Sequence, residues 1–321
     1  MAKNIEVAIV LTEHAMISAV TGISDIFTIA NDYCRNKNQS SFNVSYLSSK
    51  YDFKSNSLIS LEHSYINKDK AFDLIIIPPM LKSDKLLDVD EILNQWLIQM
   101  YHKGSILSSV CVGSFILAQT ALIDGKKATT HWLSEKEFTM SFPQVHLHSD
   151  KILIDEGQIV TAGGMTAYID LALYFIEKFH TRENADQCAS ILLVDRGRSS
   201  QKSYKDLSKL MLIDDTDIKE LLTWMKKHLA LEITTKRLAK KMHLEERTFL
   251  RRFKNATDIT PKHYLQNLRV QAAKSLLIHS SKSFDTISFE VGYNNESSFR
   301  RLFKRETSLN PGEYRKKFSS F

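Results

Sequence analysis

The sequence predicts two domains of different fold class. The first is an α/β domain with a parallel sheet and helices on both faces, and the second is all-α. Three observations predict this division. Strand-like apolar runs alternate with helical patterns over residues 1–196 of the 321-residue chain. Helical patterns alone follow residue 217, with few Gly or Pro residues. The net charge also changes sign between the two parts.

The strands of the first domain are predicted from short apolar runs. The predicted strands are residues 5–11, 42–47, 72–77, 105–110, 151–155 and 158–162, and the predicted helices are residues 17–30, 89–101, 114–121 and 166–179. Pro78 and Pro79 end the third strand because proline cannot continue a sheet ladder. Glu156-Gly157 predicts a hairpin between the last two strands. The alternation of strands and helices is typical of a flavodoxin-like fold.

Charge is distributed unevenly along the chain. Residues 217–321 carry 22 Lys and Arg against 11 Asp and Glu, a net charge of +11. Residues 1–216 carry 21 basic and 26 acidic residues, a net charge of −5. A basic segment joined to an acidic one is typical of a nucleic-acid-binding domain attached to a domain with another role. A solvated Lys-rich surface would give the same asymmetry, so charge alone leaves both interpretations open.

The cysteines and the N-terminus favour a reducing compartment. Cys34, Cys111 and Cys188 are odd in number and widely spaced, which argues against a disulfide framework and a metal site. The first eleven residues are typical of a strand, not of a signal peptide, and no window reaches the roughly 18 apolar residues of a membrane helix. We therefore expect a cytoplasmic protein without a metal, a cofactor or a membrane partner.

A short pattern occurs twice in the second domain, 50 residues apart. Residues 249–254, Phe-Leu-Arg-Arg-Phe-Lys, return at residues 299–304 as Phe-Arg-Arg-Leu-Phe-Lys. In each copy the two Phe residues are four positions apart and share one helix face, while Arg residues occupy the other side. Such helices, predicted at about residues 245–255 and 295–304, are suited to pack on a small core with the cationic side against phosphate.

Each of these helices follows an apolar helix and a tight turn, which is the order of a helix-turn-helix motif. Residues 238–243 precede the first copy and residues 287–293 precede the second, where Gly292 relieves the turn. Arg can bind guanine through two hydrogen bonds, and Ser can bond to several base edges. The outward positions predict the DNA-contacting residues Arg247, Leu250, Arg251, Lys254, Ser297, Ser298, Arg300, Arg301 and Lys304.

Residues 217–318 resemble the paired helix-turn-helix domain of AraC-family transcription regulators. The likeness is carried by Leu238-Ala239, Phe253-Lys254, Thr260-Pro261, Val291-Gly292-Tyr293 and Asn310-Pro311, among other residues. It implies two recognition helices in successive major grooves of double-stranded promoter DNA, about 34 Å apart. The chain departs from the family at Glu245, where Ser usually caps the first recognition helix. A carboxylate suits a helix N-terminus but not a neighbouring phosphate.

Cys111 is predicted to lie where a strand turns sharply into a helix, followed by Val112 and Gly113. This is the geometry of a nucleophile elbow, in which the side chain projects from the turn and the helix N-terminus lowers the thiol pKa. An inert buried cysteine would show the same local pattern. The residues by themselves therefore leave Cys111 as either a site residue or a core residue.

Residues 109–118, 128–132 and 159–167 resemble the PfpI-type branch of the class I glutamine-amidotransferase-like fold. The likeness implies that Cys111 and His131 lie close together. With residues 192–201 it extends to the sensor half of one AraC subfamily. That resemblance implies a small-molecule effector among nitrogenous metabolites, such as amino acids or quaternary amines.

A retained enzyme activity is the alternative, as a cysteine-dependent hydrolase or lyase tethered to a DNA-binding domain. The His-x-Glu pattern that orients the base of true amidotransferases occurs only at residues 243–245, in the second domain. Glu13 is the carboxylate available after the first strand, and Met16 lies nearer the required position. Cys111 and His131 thus form a dyad without a clear orienting acid, and we predict no catalytic residues.

The first domain is predicted to bind its ligand at the carboxyl ends of its strands. A cationic ligand would require aromatic faces and an acid. We predict a ligand site formed by Cys111, Gly113, His131, Trp132 and Glu13, with Tyr168 as a further aromatic candidate.

These observations combine into the hypothesis of a transcription regulator. It has a sensor domain at residues 1–196, a linker at 197–216 and a DNA-binding domain at 217–321. Paired DNA half-sites favour a homodimer, because a second contact raises the effective concentration on DNA. RNA polymerase is a further partner that this hypothesis allows, and either activation or repression is compatible with it.

Overall fold

The computed structural model describes residues 4–34, 40–51, 61–67, 69–81, 88–205, 215–257 and 259–319. It divides the chain into two compact units, Met1–Gln201 and Lys202–Phe321. The first unit extends beyond the predicted boundary at residue 196 because the following residues pack on it. Arg198 pairs with Asp170, and Gln201 is 2% exposed. The part of the predicted linker at residues 206–214 lies outside the described residues.

A mostly parallel sheet forms the centre of the first unit. The described strands are β1 (Ile5–Val10), β2 (Phe42–Ser48), β3 (Ser64–Tyr65), β4 (Leu74–Ile77), β5 (Ile106–Val110), β6 (Lys127–Ala128), β7 (His146–Leu147), β8 (Leu153–Asp155) and β9 (Ile159–Ala162). The main sheet has the order β3-β2-β1-β4-β5-β9-β8, and β6 pairs with β7 apart from it. All pairings in the main sheet are parallel except β8 with β9, which confirms the predicted hairpin.

Helices cover this sheet. They are α1 (Ile17–Ile29), α2 (Glu91–His102), α3 (Ser114–Gln119), α4 (Glu135–Ser141), α5 (Ala167–Phe179) and α6 (Arg182–Ile191). α5 packs against both α1 and α6, and α2 packs against α3. Every residue of β4 and β9 is buried, which requires cover on both faces of the sheet. The predicted α/β fold is therefore confirmed, although β3, β6, β7, α4 and α6 were not predicted.

The second unit is helical. Its helices are α7 (Thr216–Lys227), α8 (Thr235–Lys241), α9 (Glu246–Thr257), α10 (Pro261–His279), α11 (Phe284–Glu290), α12 (Glu296–Thr307) and α13 (Pro311–Phe318). Thr234 caps α8 and Asn295 caps α12 through side-chain hydrogen bonds. Within the described residues, no helix combines the length and apolarity needed to span a membrane.

The second unit contains two separate apolar cores. Phe249 and Phe253 of α9 anchor the first core, and Phe299 and Phe303 of α12 anchor the second. All four rings are fully buried, which confirms the inner face predicted from their spacing. α10 spans both cores, since its residues up to Leu268 join the first and its later residues join the second. Each repeated helix is thus held by a core of its own.

Candidate functional site

Cys111 follows β5 directly and adopts a φ of +56°. This left-handed conformation is costly for a residue with a side chain, so the strained turn expected at this position is present. Gly113 permits a close approach after the turn. A Cβ atom at Gly113 would lie 2.7 Å from the carbonyl oxygen of Pro78 and 2.9 Å from that of Ile77. Gly113 therefore serves the packing of the elbow against the end of β4.

The thiol of Cys111 is buried, with 3% of the residue exposed. Burial raises its pKa to about 12, because the thiolate would be desolvated. A hydrogen bond from the backbone of Val112 lowers the pKa by a smaller amount. The backbone contact at the start of the helix thus acts in the predicted direction, but the net lowering of the pKa that we expected is wrong because burial outweighs that contact. At neutral pH the thiol is protonated, and a protonated thiol is a poor nucleophile.

A buried hydrogen-bond network joins the elbow to the segment that carries His131. The carbonyl oxygen of Cys111 accepts hydrogen bonds from Ser114 Oγ and Thr130 Oγ1, both at 3.0 Å. Ser114 Oγ also lies 2.8 Å from Thr130 Oγ1, so its single hydroxyl hydrogen is shared between these two acceptors. Residue 130 is therefore in direct contact with Cys111, and its neighbour His131 lies close to the elbow.

The predicted aromatic candidates have structural contacts of their own. Nδ1 of His131 accepts a hydrogen bond from the backbone amide of Leu133 at 3.1 Å, which begins a short 3₁₀ turn. The His131 and Trp132 rings stack with centroids 5.8 Å apart. Tyr168 of α5 packs on α1, since a Cβ atom at Gly22 would lie 2.8 Å from its ring. Tyr168 therefore holds two helices together.

A cleft of about 540 Å³ opens at the carboxyl ends of β1 and β2, next to the start of α2. It is lined by Leu11, Thr12, Glu13, His14, Ser48, Ser49, Lys50, Met80, Asp88, Val89, Asp90, Glu91, Ile92, Leu93, Ile116 and Gln119. Glu13 is the member of the predicted ligand site that lines this cleft. Cys111, Gly113, His131 and Trp132 are not among its lining residues. The structure thus divides the predicted site into a cleft and a neighbouring elbow.

The cleft carries charges of both signs. The carboxylate of Glu13 pairs with the Lys50 ammonium at 2.5 Å, and both side chains are about half exposed. Asp90 caps α2 by accepting from the amide of Leu93 at 3.0 Å, and it also accepts from Ser49 Oγ at 2.5 Å. Sequence reasoning missed Lys50 and Asp90. Their positions, just after a strand and just before a helix, were the signals available.

The second unit presents the nine predicted DNA-contacting side chains to solvent. Each of them is exposed on α9 or α12, and Leu250 is 39% exposed. Arg300 is held by an ion pair with Glu296 and lies over the ring of Phe284 at 5.0 Å. Arg301 has a longer hydrogen bond, 3.5 Å, to Ser298 Oγ. The guanidinium of Arg301 is therefore less constrained than that of Arg300.

Arg252 on α9 has a different role from its exposed neighbours. Its guanidinium donates to both carboxylate oxygens of Asp215 at 2.7 Å and to Asp217 at 2.7 Å. The hydrogen bond from Arg252 lowers the pKa of Asp215. These contacts tie the start of α7 to the first repeated helix, an arrangement that sequence reasoning missed because the partners are 37 and 35 residues apart.

The two helix-turn-helix motifs turn differently. Gly292 in the second turn has a φ of +89°, as its position suggested. In the first turn the left-handed residue is His243, with a φ of +54°. Four residues separate α8 from α9, and five separate α11 from α12. The two motifs therefore have similar helices but different turns.

No metal centre accompanies these sites in the described part of the chain. Groups of three or more His, Cys, Asp or Glu side chains placed to hold an ion do not occur there.

Comparison with known proteins matches both units. Residues 18–178 match the DJ-1/PfpI family, and residues 238–317 match a helix-turn-helix domain. The HTH-type transcriptional regulator CdhR of Pseudomonas aeruginosa is 28% identical over 260 residues, covering 78% of this chain and 76% of CdhR. The HTH-type transcriptional regulator ArgR of the same organism is 26% identical over 229 residues, covering 68% of this chain and 66% of ArgR.

A solved structure shares the fold of the first unit. The crystal structure of an AraC family transcriptional regulator from Pseudomonas putida superposes with a TM-score of 0.51 at 18% identity. It covers 59% of this chain and 99% of that chain.

Proposed function

We propose that this chain, which belongs to the DJ-1/PfpI family and is an AraC-type helix-turn-helix transcription regulator, is controlled by a small metabolite bound in its first unit. The observation that carries the proposal is the cleft of about 540 Å³ in that unit. Its volume lies within the range of small-molecule sites. Its position at the carboxyl ends of parallel strands is where open α/β sheets bind ligands.

The chemistry of the cleft supports a nitrogenous effector. The paired Glu13 and Lys50 side chains can bind an ammonium and a carboxylate of one ligand. Asp88, Asp90 and Glu91 give the lining an excess of negative charge, which favours a cation. The buried Thr12 Oγ1 has no hydrogen-bond partner among the described residues and offers a further contact. Amino acids have both an ammonium and a carboxylate, and quaternary amines have the positive charge that the acidic lining favours.

The second unit supports a specific mode of DNA binding. We propose that α9 and α12 enter successive major grooves and that their nine exposed side chains contact phosphates and bases. A homodimer would place four such helices on paired half-sites. RNA polymerase is the further partner proposed, because a regulator bound at a promoter acts on transcription.

The state of Cys111 argues against the hydrolase alternative. A catalytic thiol needs a lowered pKa and access to its substrate. Burial instead raises the pKa of Cys111 to about 12. We therefore propose that the first unit binds its effector without turnover.

The test uses the full chain and a panel of amino acids, polyamines, quaternary amines and nucleosides. A ligand that binds the folded state raises the melting temperature, and the same ligand should change the gel-shift affinity for promoter DNA. Glu13→Gln should weaken ligand binding about tenfold, since a charge-assisted hydrogen bond is lost. Glu137→Gln, the same change on the exposed surface of α4, should leave binding unchanged.

Three results would count against this function. A panel without any stabilising ligand would remove the sensor role. A ligand that is chemically converted during incubation would restore the hydrolase or lyase alternative. Equal effects of the two Glu variants would place the ligand outside the cleft.

A further inference from the structure

We propose that Gln201 is a latch that couples the elbow at Cys111 to the point where the chain leaves the first unit. Gln201 is the last residue of that unit. Its side chain is buried and bonded to the segment beside Cys111. The coupling rests on the proposed function, because it supplies a route by which a sensor could signal to the linker.

Both polar atoms of the Gln201 side-chain amide have hydrogen-bond partners. Nε2 donates to the carbonyl oxygen of Thr130 at 2.8 Å and to that of Lys151 at 2.9 Å. Oε1 accepts from the backbone amide of Trp132 at 3.3 Å. The backbone amide of Gln201 donates to the carbonyl oxygen of Asp150 at 2.7 Å. Both donors and the acceptor of a buried amide are thus satisfied, and its release would leave several polar groups unpaired.

Gly163 is fitted to this side chain. A Cβ atom at Gly163 would lie 2.0 Å from Gln201 Nε2 and 2.8 Å from the carbonyl oxygen of Thr130. Any larger residue at position 163 would displace the amide. The latch therefore depends on two positions that are 38 residues apart in the chain. Gln201 provides the amide, and Gly163 leaves the space that the amide occupies.

Thr130 links the latch to the elbow. Its carbonyl oxygen accepts from Gln201, while its Oγ1 donates to the carbonyl oxygen of Cys111. Thr130 is fully buried, so it cannot move at one end without disturbing the other. A change at Cys111 that displaces Thr130 must therefore loosen Gln201. By linkage, release of Gln201 must also loosen the elbow.

The residues before the latch have a separate anchor. Arg198 donates to the carboxylate of Asp170 through Nε at 3.1 Å and through a second nitrogen. Opening the latch would therefore loosen the chain after residue 198 and leave α5 and α6 in place, while the backbone bridge between Lys151 and Ser200 still holds that stretch to the first unit. The site of the expected change is the peptide bond after Lys202, one residue beyond the latch.

The test uses the full chain and needs no metabolite. Iodoacetamide labelling of Cys111 is followed by peptide mass spectrometry, and trypsin cleavage after Lys202 is followed in parallel. Gln201→Ala should speed both reactions about tenfold, the factor expected when a buried hydrogen bond is lost. Gln144→Ala, an exposed glutamine of the same unit, is the matched control and should change neither rate. Labelling of the buried Cys188 should also stay constant.

The coupling should also act in the opposite direction, from Cys111 to Gln201, and this gives a second measurement. Alkylation of Cys111 in the otherwise unaltered chain should speed cleavage after Lys202. Thr130→Val keeps the backbone carbonyl that binds Gln201 and removes the hydroxyl that binds Cys111. In that variant, alkylation of Cys111 should no longer affect cleavage. Circular dichroism identifies any variant that fails to fold, and Thr130→Val then decides the question if Gln201→Ala is lost.

The proposal is overturned if folded Gln201→Ala reacts and cleaves at the same rates as the unaltered chain, or if Gln144→Ala gives the same increases. It is also overturned if alkylation speeds cleavage equally with and without the Thr130 hydroxyl. These outcomes are independent of the effector screen. A failed screen would remove the metabolite while leaving the latch intact, and a failed latch would leave effector binding unaffected.

Discussion

Gly292 is the position in the second unit where an added methyl group should do most harm. It lies in the turn between α11 and α12 with a φ of +89°. A Cβ atom there would lie 2.5 Å from the carbonyl oxygen of Ala230 and 2.9 Å from its Cα. These are backbone atoms, which cannot rotate away as the end of a flexible side chain can. Gly292→Ala therefore combines an unfavourable backbone conformation with a steric overlap.

The size of the effect follows from these two causes. A left-handed conformation costs a residue with a Cβ atom about 1–2 kcal/mol, and overpacking adds about 1–3 kcal/mol. We expect Gly292→Ala to lower the free energy of unfolding of the second unit by about 2–5 kcal/mol. At roughly 4 °C per kcal/mol for a domain of this size, the melting temperature should fall by roughly 8–20 °C.

Gly312→Ala is the matched control in the same unit. Gly312 lies within α13, and the nearest atom to an added Cβ would be Asn310 Oδ1 at an ordinary 3.5 Å. Alanine is the better helix former by about 0.5–1 kcal/mol, so this variant should be neutral or slightly stabilising. Differential scanning calorimetry of the full chain measures both variants, and hydrogen exchange in α11 and α12 assigns the transition. Melting temperatures of the two variants within about 1 °C of each other would refute the reasoning.

Two further predictions concern charged residues of the second unit. Arg301→Ala should reduce the preference for a DNA sequence selected by the unaltered protein by about 1–3 kcal/mol in gel shifts. Lys316→Ala, which also removes one positive charge, should weaken binding to selected and to scrambled DNA by the same factor. An equal loss of sequence preference in both variants would contradict the assignment of Arg301. Asp215→Asn keeps a cap for α7 but removes the charge that pairs with Arg252. Because Arg252 lowers the folded-state pKa of Asp215, the pair stabilises the fold above the unfolded pKa of about 4, and this is lost as pH falls through the lowered value. Urea unfolding at pH 7 and at about pH 3 should show that the free energy of unfolding falls less on acidification in Asp215→Asn than in the unaltered chain. Equal decreases in the two proteins would show that the pair does not contribute.

Local patterns in the sequence were sufficient to predict most of the strands and helices of the fold. The apolar run that became β4 and the four-residue spacing of Phe299 and Phe303 depend only on how strands and helices repeat. Their burial in the structure confirms both predictions. The caps Thr234 and Asn295 were predictable for the same reason, since a cap bonds to residues two or three positions away.

Features that depend on distant partners were not predictable. The pKa of Cys111 was expected to fall because a helix follows it, yet desolvation by the surrounding core raises it to about 12. Gln201 was placed in the linker, although its partner Trp132 lies 69 residues earlier. Lys50 escaped notice because its pairing with Glu13 joins the ends of two different strands. In each case the deciding contact lies outside any local window of sequence.

The sequence by itself determined that the chain has an α/β domain, a basic helical domain and two helices of the same design. These properties follow from periodicity and charge, which are written in neighbouring residues. Only the tertiary structure decided that Glu13 lines a cleft while Cys111 lies in a buried elbow. It also decided that Gln201, the last residue of the first unit, has a buried side-chain amide. Desolvation and hydrogen-bond partnership arise when distant segments pack together, so they exist only in the folded chain.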